Sequence, residues 1–307
     1  MVSCGTTEEV TVAESLGTAG GEPNLDPAPV EAGVDDARAA YALGSSSVES
    51  ARLRQQAEEL APDSVALLDR VGLRPGGSAI DLGCGPRGIL DLLYGRVSPG
   101  GRVVGLDADP VHVSMASEFV EGEGMAGVEL VCADARRTGL MADSFDLVHA
   151  RTLLINVPDP SAVMAEMVRL ARPGGWVAGL EPDTEYAICY PPHPAVDRLS
   201  ELFWAAFSRN GADPFIGRRM GELYRQAGLE DVTVDARVRV YPAGHSRRTI
   251  RADLVRSLRG QILEMGLADD RELDQLDATA REHLANPDTV MMHHPLFLAW
   301  GRKPTSV

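Results

Sequence analysis

A tight glycine turn directly after a short apolar segment is the feature that most constrains this chain. Residues 78–82, Ser-Ala-Ile-Asp-Leu, predict a buried strand, and Gly83, Gly85 and Gly88 follow in the spacing Gly-x-Gly-x-x-Gly. Glycines let a backbone bend sharply and approach a ligand with no side chain in between. A helix is predicted from Ile89 onward. Together these segments predict the first unit of a doubly wound α/β sheet, with a nucleotide-like ligand at its turn.

The glycine pattern alone is a weak signal. Acidic residues at the ends of the next two predicted strands narrow the identity of the expected ligand. Strand 101–106 is followed by Asp107, about 20 residues beyond the glycines, where an acid can accept hydrogen bonds from ribose hydroxyls. Strand 128–133 is followed by Asp134, which could accept from an adenine amine. Asp81, beside the turn, would repel a pyrophosphate. An aminoacyl sulfonium ligand would tolerate that carboxylate.

From about Tyr41 to Lys303 the chain resembles the class I S-adenosylmethionine-dependent methyltransferases, and most closely their ubiquinone- and menaquinone-biosynthesis-like small-molecule branch. Residues 143–151 and 170–181 resemble the fourth and fifth strands of that family. The resemblance implies a Rossmann-like, doubly wound, seven-stranded sheet with an antiparallel last strand, which we expect at residues 295–303.

The resemblance also implies which residues bind the cofactor, S-adenosylmethionine, and its product, S-adenosylhomocysteine. In the family the glycine turn lies against the methionine part, the acid after the second strand holds the ribose, and the acid after the third meets the adenine. Arg151 is expected to bind the cofactor carboxylate or an anionic acceptor. Tyr41 either touches the methionine carboxylate or packs on the core. The predicted cofactor-binding residues are Tyr41, Asp81, Gly83, Cys84, Gly85, Gly88, Asp107, Ala108, Asp134, Ala135 and Arg151.

Composition indicates one enzyme domain behind an acidic tail. Residues 1–36 contain eight acidic residues and no Lys or Arg, and they are predicted to be disordered. Residues 37–307 are predicted to form the methyltransferase domain. The net charge of −16 argues against a nucleic-acid partner. No membrane helix or signal peptide is predicted, so we expect a cytoplasmic protein without a membrane partner; a homo-oligomer is left open.

Three segments are expected to enclose the ligands. Residues 37–60 predict an N-terminal lid, with a separate helix at residues 61–71. Residues 181–216 and 247–294 exceed the minimal fold and are predicted to form a largely helical cap over a pocket for the methyl acceptor. The first of these cap segments contains an aromatic group that favours an apolar acceptor, namely Phe203, Trp204, Phe207 and Phe215.

Methyl transfer requires few catalytic groups, because a sulfonium is already a good electrophile. The enzyme mainly has to align acceptor oxygen, methyl carbon and sulfur and exclude water. A base helps only some acceptors. The candidate catalytic residues are His193, His245 and Glu181, and His149, His293, His294 and Asp183 are further pocket candidates. The four cysteines lack the spacing of a metal site, so no metal is expected.

The sequence therefore predicts methyl transfer from S-adenosylmethionine to a small, fairly apolar metabolite, at oxygen in preference to carbon or nitrogen, with a role in secondary metabolism. One alternative is a cyclase or isomerase that binds S-adenosylmethionine without transferring its methyl group. Another is a nicotinamide-dependent oxidoreductase, which the literal glycine pattern favours. A non-catalytic binding module is the least favoured alternative, since no basic groove or repeat is evident.

Overall fold

A computed structural model describes residue 43, residues 47–209 and residues 211–305. The predicted acidic tail, residues 1–36, lies outside the described residues, and so does Tyr41. Of the predicted lid, residues 37–60, the structure describes residue 43 and residues 47–60.

Seven strands form one sheet in the order β3-β2-β1-β4-β5-β9-β7. Neighbours among β1 to β5 are parallel, whereas β9 is antiparallel to both β5 and β7. The predicted doubly wound sheet with an antiparallel last strand is thus confirmed. The strands are β1 (Ser78–Leu82), β2 (Arg102–Asp107), β3 (Val128–Cys132), β4 (Phe145–Arg151), β5 (Ala171–Pro182), β7 (Glu230–Arg237) and β9 (Leu296–Arg302).

Nine α-helices are present among the described residues. They are α1 (Ser47–Val71), α2 (Leu90–Val97), α3 (Pro110–Gly122), α4 (Pro160–Leu170), α5 (Pro194–Arg209), α6 (Met220–Gln226), α7 (Ile250–Ser257), α8 (Arg259–Glu264) and α9 (Asp270–Ala285). Several begin at an acid that caps free backbone N–H groups. Asp109 accepts from the Val111 N–H at 2.9 Å before α3, and Asp159 accepts from the Ala162 N–H at 3.0 Å before α4.

Both faces of the sheet are covered, which explains why its central strands are continuously apolar. In β1, Ala79 packs in a cluster with Leu67 of α1 and Leu90 of α2. Its neighbour Ile80 faces the other way and packs in a cluster with Met164 of α4. Alternate side chains of one buried strand thus build the two halves of the core.

Helix α1 differs from the prediction of two helices separated near residue 60. It continues from Ser47 to Val71 through Pro62. A proline inside a helix removes one N–H donor and strains the preceding turn. The helix nevertheless continues, because Leu60, Leu67 and Leu68 are fully or almost fully buried, and α1 lies against β5 and β9.

The two predicted cap segments contact each other, and they share a strand pair that the sequence did not indicate. Helix α5 of the first segment packs against α7 and α9 of the second. A short strand from each segment, β6 (Ile188–Tyr190) and β8 (Val290–Met292), joins them in an antiparallel pair. The two cap segments are therefore joined to each other by backbone hydrogen bonds as well as by apolar packing.

Candidate active site

One large cavity opens at the carboxyl ends of the parallel strands, between the sheet, helix α1 and the cap. Including its open mouth it holds about 1500 Å³ of empty space. This edge is where ligands bind in open α/β folds. Seven of the predicted cofactor-binding residues line it, namely Gly83, Gly85, Asp107, Ala108, Asp134, Ala135 and Arg151.

The turn after β1 is built around a buried carboxylate. Asp81 accepts from the Ile89 N–H at 2.9 Å, and its other oxygen lies 2.7 Å from Nδ1 of His149. Gly88 has a φ of +56°, and a Cβ there would lie 2.2 Å from an Asp81 carboxylate oxygen. Only glycine fits both the left-handed backbone and this close approach.

Three predicted cofactor residues consequently lie behind the cavity wall. Asp81, Cys84 and Gly88 are absent from the described residues that line the cavity. Asp81 and Cys84 are almost completely buried. Burial, reinforced by Asp107 and Asp81, raises the pKa of the Cys84 thiol well above its usual value. These residues shape the turn behind the wall.

Asp107 connects the glycine turn to helix α3. One carboxylate oxygen accepts from the Gly85 N–H at 2.8 Å and the other from the Asp109 N–H at 2.9 Å. The imidazole of His112 lies 3.5 Å away. Burial acts to lower the pKa of His112, but Asp107 and the other nearby acids outweigh it, so the pKa is raised. The carboxylate is thus held in one orientation at the cavity wall.

Asp134 and Arg151 both line the cavity. Asp134 is oriented by Arg136, whose Nη2 donates to one carboxylate oxygen at 2.6 Å and whose Nε donates to the other at 3.1 Å. Arg151 donates to the Ser64 hydroxyl and to the Gly88 carbonyl, each at 3.1 Å. Burial lowers the pKa of Arg151 to about 10, although Asp81 acts in the opposite direction. Arg151 therefore stays cationic at neutral pH.

The three candidate catalytic residues do not line the cavity in the described part of the chain. His193 accepts from the Ala195 N–H at 3.2 Å, where α5 begins, and its ring packs against His283. His245 accepts from the Arg247 N–H at 3.1 Å. Both histidines end loops by capping backbone N–H groups, a role that sequence alone does not distinguish from catalysis.

Glu181 stabilises the wall from behind. Its carboxylate accepts from the N–H groups of Leu153 and Leu154, each at 2.8 Å, and of Ile155 at 3.2 Å. Complete burial raises its pKa to about 8, despite the opposing effect of these three donors. Leu153 and Ile155 line the cavity, so Glu181 positions wall residues. Asp183, the neighbouring candidate, is buried in an ion pair with Arg218.

Sequence reasoning missed several polar residues at the cavity. Gln56 of α1 reaches the wall and donates to the Thr152 hydroxyl at 3.2 Å. Asn156 and Arg247 also line the cavity. None of them belongs to a motif, and only the enclosing segments could be predicted. Of the histidines considered for the cap, His294 lines the cavity.

Two further observations concern metal ligands and membrane-spanning helices. No group of three or more potential metal ligands occurs among the residues that the structure describes. Of the described helices, none combines the length and the apolar character that crossing a membrane requires.

The turn after β1 can be tested with a pair of glycine substitutions. Gly88→Ala is expected to lower the free energy of unfolding by about 2–4 kcal/mol, because a Cβ meets the Asp81 carboxylate in a left-handed backbone. Gly95→Ala is the control, because Gly95 is exposed in α2 and a Cβ there meets nothing. It is expected to raise stability by up to about 1 kcal/mol. Urea unfolding measures both, and an undisturbed Gly88→Ala variant contradicts this geometry.

The raised pKa of Glu181 leads us to expect that the stability of the protein depends on pH. Its pKa in the folded protein, about 8, exceeds the ordinary value of 4.5, so folding retains a proton that the unfolded chain has released between these values. Its contribution to stability is complete below pH 4.5 and is lost as pH rises towards 8. In Glu181→Gln the decline is expected to be shallower by up to about 1.4 kcal/mol per pH unit.

Urea unfolding across this pH range checks that expectation. Glu118→Gln is the matched control, because Glu118 is exposed on α3 and its removal should leave the slope as in the wild-type protein. Identical slopes in the wild-type protein and Glu181→Gln would show that Glu181 is ionised throughout.

Comparison with known proteins places this geometry in a family. The family model of a methyltransferase domain, Methyltransf_11, matches residues 80–179, which run from β1 into β5. The chain is 31% identical over 174 residues to a demethylmenaquinone methyltransferase of Bacillus cereus, covering 53% of this chain and 73% of that protein.

Two other relatives match a smaller share of their own length. A nocamycin O-methyltransferase of Saccharothrix syringae is 40% identical over 115 residues, covering 37% of this chain and 41% of that protein. An uncharacterized 37.1 kDa protein in transposon Tn4556 of Streptomyces fradiae is 36% identical over 169 residues, covering 55% and 48%. The chain thus spans about half the length of each of these two relatives or less.

The fold is shared with a solved structure at much lower identity. A crystal structure of a putative methyltransferase from Bacillus halodurans has a TM-score of 0.54 and 16% identity, covering 80% of this chain and 100% of that one. This likeness shows the fold. Together with the Bacillus cereus relative, it shows that the chain belongs to the class I S-adenosylmethionine-dependent methyltransferases.

Proposed function

We propose that this protein transfers a methyl group from S-adenosylmethionine to a small, fairly apolar metabolite, at an oxygen atom. The observation that carries the proposal is the continuity of the cavity. Its sheet side presents Gly85 and Asp107, and its cap side presents the apolar side chains of Phe203, Phe207 and Leu254. A donor at the sheet edge and an acceptor under the cap would therefore share one enclosed space.

The cofactor half of the proposal assigns one role to each part of the wall. The backbone at Gly83 and Gly85 would lie against the methionine part, since no side chain projects there. Asp107 would accept from the ribose hydroxyls, because the carboxylate oxygen that accepts from the Gly85 N–H has a second lone pair beside that donor. Asp134 would face the adenine, and Arg151 would bind the methionine carboxylate as a fixed cation.

The acceptor half of the proposal rests on the cap. Phe203 and Phe207 are buried on α5 and stack at a centroid distance of 4.9 Å, so they offer a rigid apolar wall. Transfer needs alignment and exclusion of water, which such a wall supplies. The net charge of −16 supports a small molecule over a nucleic acid as acceptor.

An oxygen acceptor and a role in secondary metabolism are the finer parts of the proposal. One relative is named as an O-methyltransferase, and it is 40% identical over 115 residues. If a base assists, His294 is placed better than His193 or His245, because it alone of the three lines the cavity. Burial lowers the pKa of His294 well below its usual value, so it is neutral at pH 7.

Cofactor binding tests the first half of the proposal. Isothermal titration calorimetry with S-adenosylhomocysteine should show Asp107→Asn binding at least about tenfold more weakly than the wild-type protein, because an acceptor of hydroxyl hydrogen bonds is lost. Glu129→Gln is the control: Glu129 lies on β3 in an exposed pair with Arg102 and outside the cavity. Equal affinity in Asp107→Asn would refute the ribose assignment.

Methyl transfer tests the second half. The protein is incubated with methyl-labelled S-adenosylmethionine and a set of phenols, hydroxyquinones and polyketide-like hydroxy compounds, with mass detection of products. We expect label in an O-methyl product and an equal amount of S-adenosylhomocysteine. A product formed without label would contradict methyl transfer and favour a cyclase or isomerase.

A further inference from the structure

The cap side of the cavity contains a cluster of buried basic residues whose two arginines have no role in the methyl transfer proposed above. Arg247, Arg251, His293 and His294 are all more than nine-tenths buried. Arg247 and His294 line the cavity directly. Arg251 stacks on the ring of Phe203, another lining residue, with its guanidinium carbon 4.2 Å from the ring centroid. We call these four residues, of which the two arginines are cations and the two histidines are neutral, the cap cation cluster.

The hydrogen bonds of the neighbouring Arg248 show what a structural arginine looks like in this cap. Its guanidinium donates to four backbone carbonyls at 2.7–3.1 Å, which belong to Leu284, Tyr241, Asn286 and Thr289. Every guanidinium nitrogen of Arg248 has a partner. Arg248 therefore fastens the end of α9 and the approach to β8.

The cap cation cluster is not satisfied in this way. Nη2 of Arg247, Nη1 of Arg251 and Nε2 of His293 are buried without a hydrogen-bond partner. A buried donor without a partner costs about 1–3 kcal/mol, and more when it is charged. The two guanidinium nitrogens, on Arg247 and Arg251, are such donors, and they indicate that a hydrogen-bond acceptor belongs beside them.

The charges of the two arginines also indicate that an acceptor belongs beside them. Arg247 pairs with Glu59 through its Nε atom. Arg251 donates to the Thr184 carbonyl at 3.1 Å and makes no ion pair with a described acid. Burial alone lowers the pKa of Arg251 to about 9, so it remains a cation at neutral pH. An unpaired buried cation is expensive, and a ligand anion would compensate it.

The cofactor does not account for this cluster under the proposed function. Its carboxylate has Arg151 on the sheet side, beside the glycine turn. Arg247 lies in the turn before α7, Arg251 lies on α7 beside Thr184 and Phe203, and the two histidines precede β9. Those elements form the acceptor side of the cavity.

We propose that the methyl acceptor is an anion: a mostly apolar molecule with one carboxylate, whose oxygens bind Arg247 and His294 at the wall while Arg251 stabilises the charge from behind. This inference rests on the proposed function and specifies its substrate class. The acceptor's apolar skeleton would lie on Phe203 and Phe207. A carboxylate offers about four lone pairs and a negative charge to N–H donors, whereas a neutral hydroxyl offers two lone pairs and no charge.

The test uses two pairs of probes with the same shape and different charge: salicylate with salicylamide, and 1-naphthoate with 1-naphthamide. Isothermal titration calorimetry measures their binding to the protein saturated with S-adenosylhomocysteine. We expect each carboxylate to bind at least about tenfold more tightly than its amide, as charge-assisted hydrogen bonds require. Amides that bind as tightly as the carboxylates, or no binding by either carboxylate, would overturn the proposal.

Substitutions in the cap cation cluster test which residues cause the preference for carboxylates over amides. Arg251→Met is expected to abolish the preference for carboxylates and leave the affinity for S-adenosylhomocysteine unchanged, whereas Arg251→Lys retains part of the preference. Arg256→Met is the control, since Arg256 lies on the same helix in an exposed pair with Asp277. If Arg251→Met fails to fold, Arg247→Gln removes the cavity-lining cation instead.

Each outcome of the variants decides between explanations. A carboxylate preference that survives both Arg251→Met and Arg247→Gln contradicts the proposal. Weaker binding of S-adenosylhomocysteine in Arg247→Gln would assign Arg247 to the cofactor and also contradict it. Failure of the wild-type protein to bind S-adenosylhomocysteine would instead refute the proposed function, so the two failures are distinguishable.

Discussion

The buried carboxylate of Asp81 is the contact on which the arrangement of this site depends. It holds the Ile89 N–H at the start of the second helix and the ring of His149 on the neighbouring strand β4. The chain can pass this carboxylate only with glycine at residue 88. The resulting bend presents the Gly85 N–H to Asp107, so that β1, β2 and the turn form one rigid wall.

The cap is held by a different kind of interaction, and this difference matters for function. Two segments that are distant in sequence meet through α5, α7 and the β6–β8 pair. Within the second segment, every guanidinium nitrogen of Arg248 donates to a backbone carbonyl. Arg247 and Arg251 each keep one buried guanidinium nitrogen without a hydrogen-bond partner, and Arg251 lies over the ring of Phe203. The sheet thus supplies acids, and the cap supplies cations and apolar surface.

The sequence predicted the parts of this structure that depend on local patterns. Apolar runs and the acids that follow them located β1, β2 and β3, and the glycine spacing located the turn. Glu181 shows the limit of such reasoning: a carboxylate after a strand was expected in the pocket, but it caps three N–H groups behind the wall. His193 and His245 were misplaced for a similar reason, because a capping histidine and a pocket histidine have the same local sequence.

Long-range features could not be predicted in this way. The pairing of β6 with β8 joins residues about 100 positions apart, and its strands are too short to show a period. The continuity of α1 through Pro62 depends on burial against β5 and β9. The free donors of Arg247 and Arg251 are visible only once all neighbouring groups are in place.

The central claim is that the edge of the sheet binds the adenosyl part of S-adenosylmethionine between Asp107 and Asp134, beneath the cap. A crystal structure of the protein with S-adenosylhomocysteine tests it most directly. The account predicts ribose hydroxyls within hydrogen-bond distance of Asp107, the adenine beside Asp134, and the sulfur facing the cap. An empty sheet edge, or an adenosyl group bound elsewhere, would contradict the account.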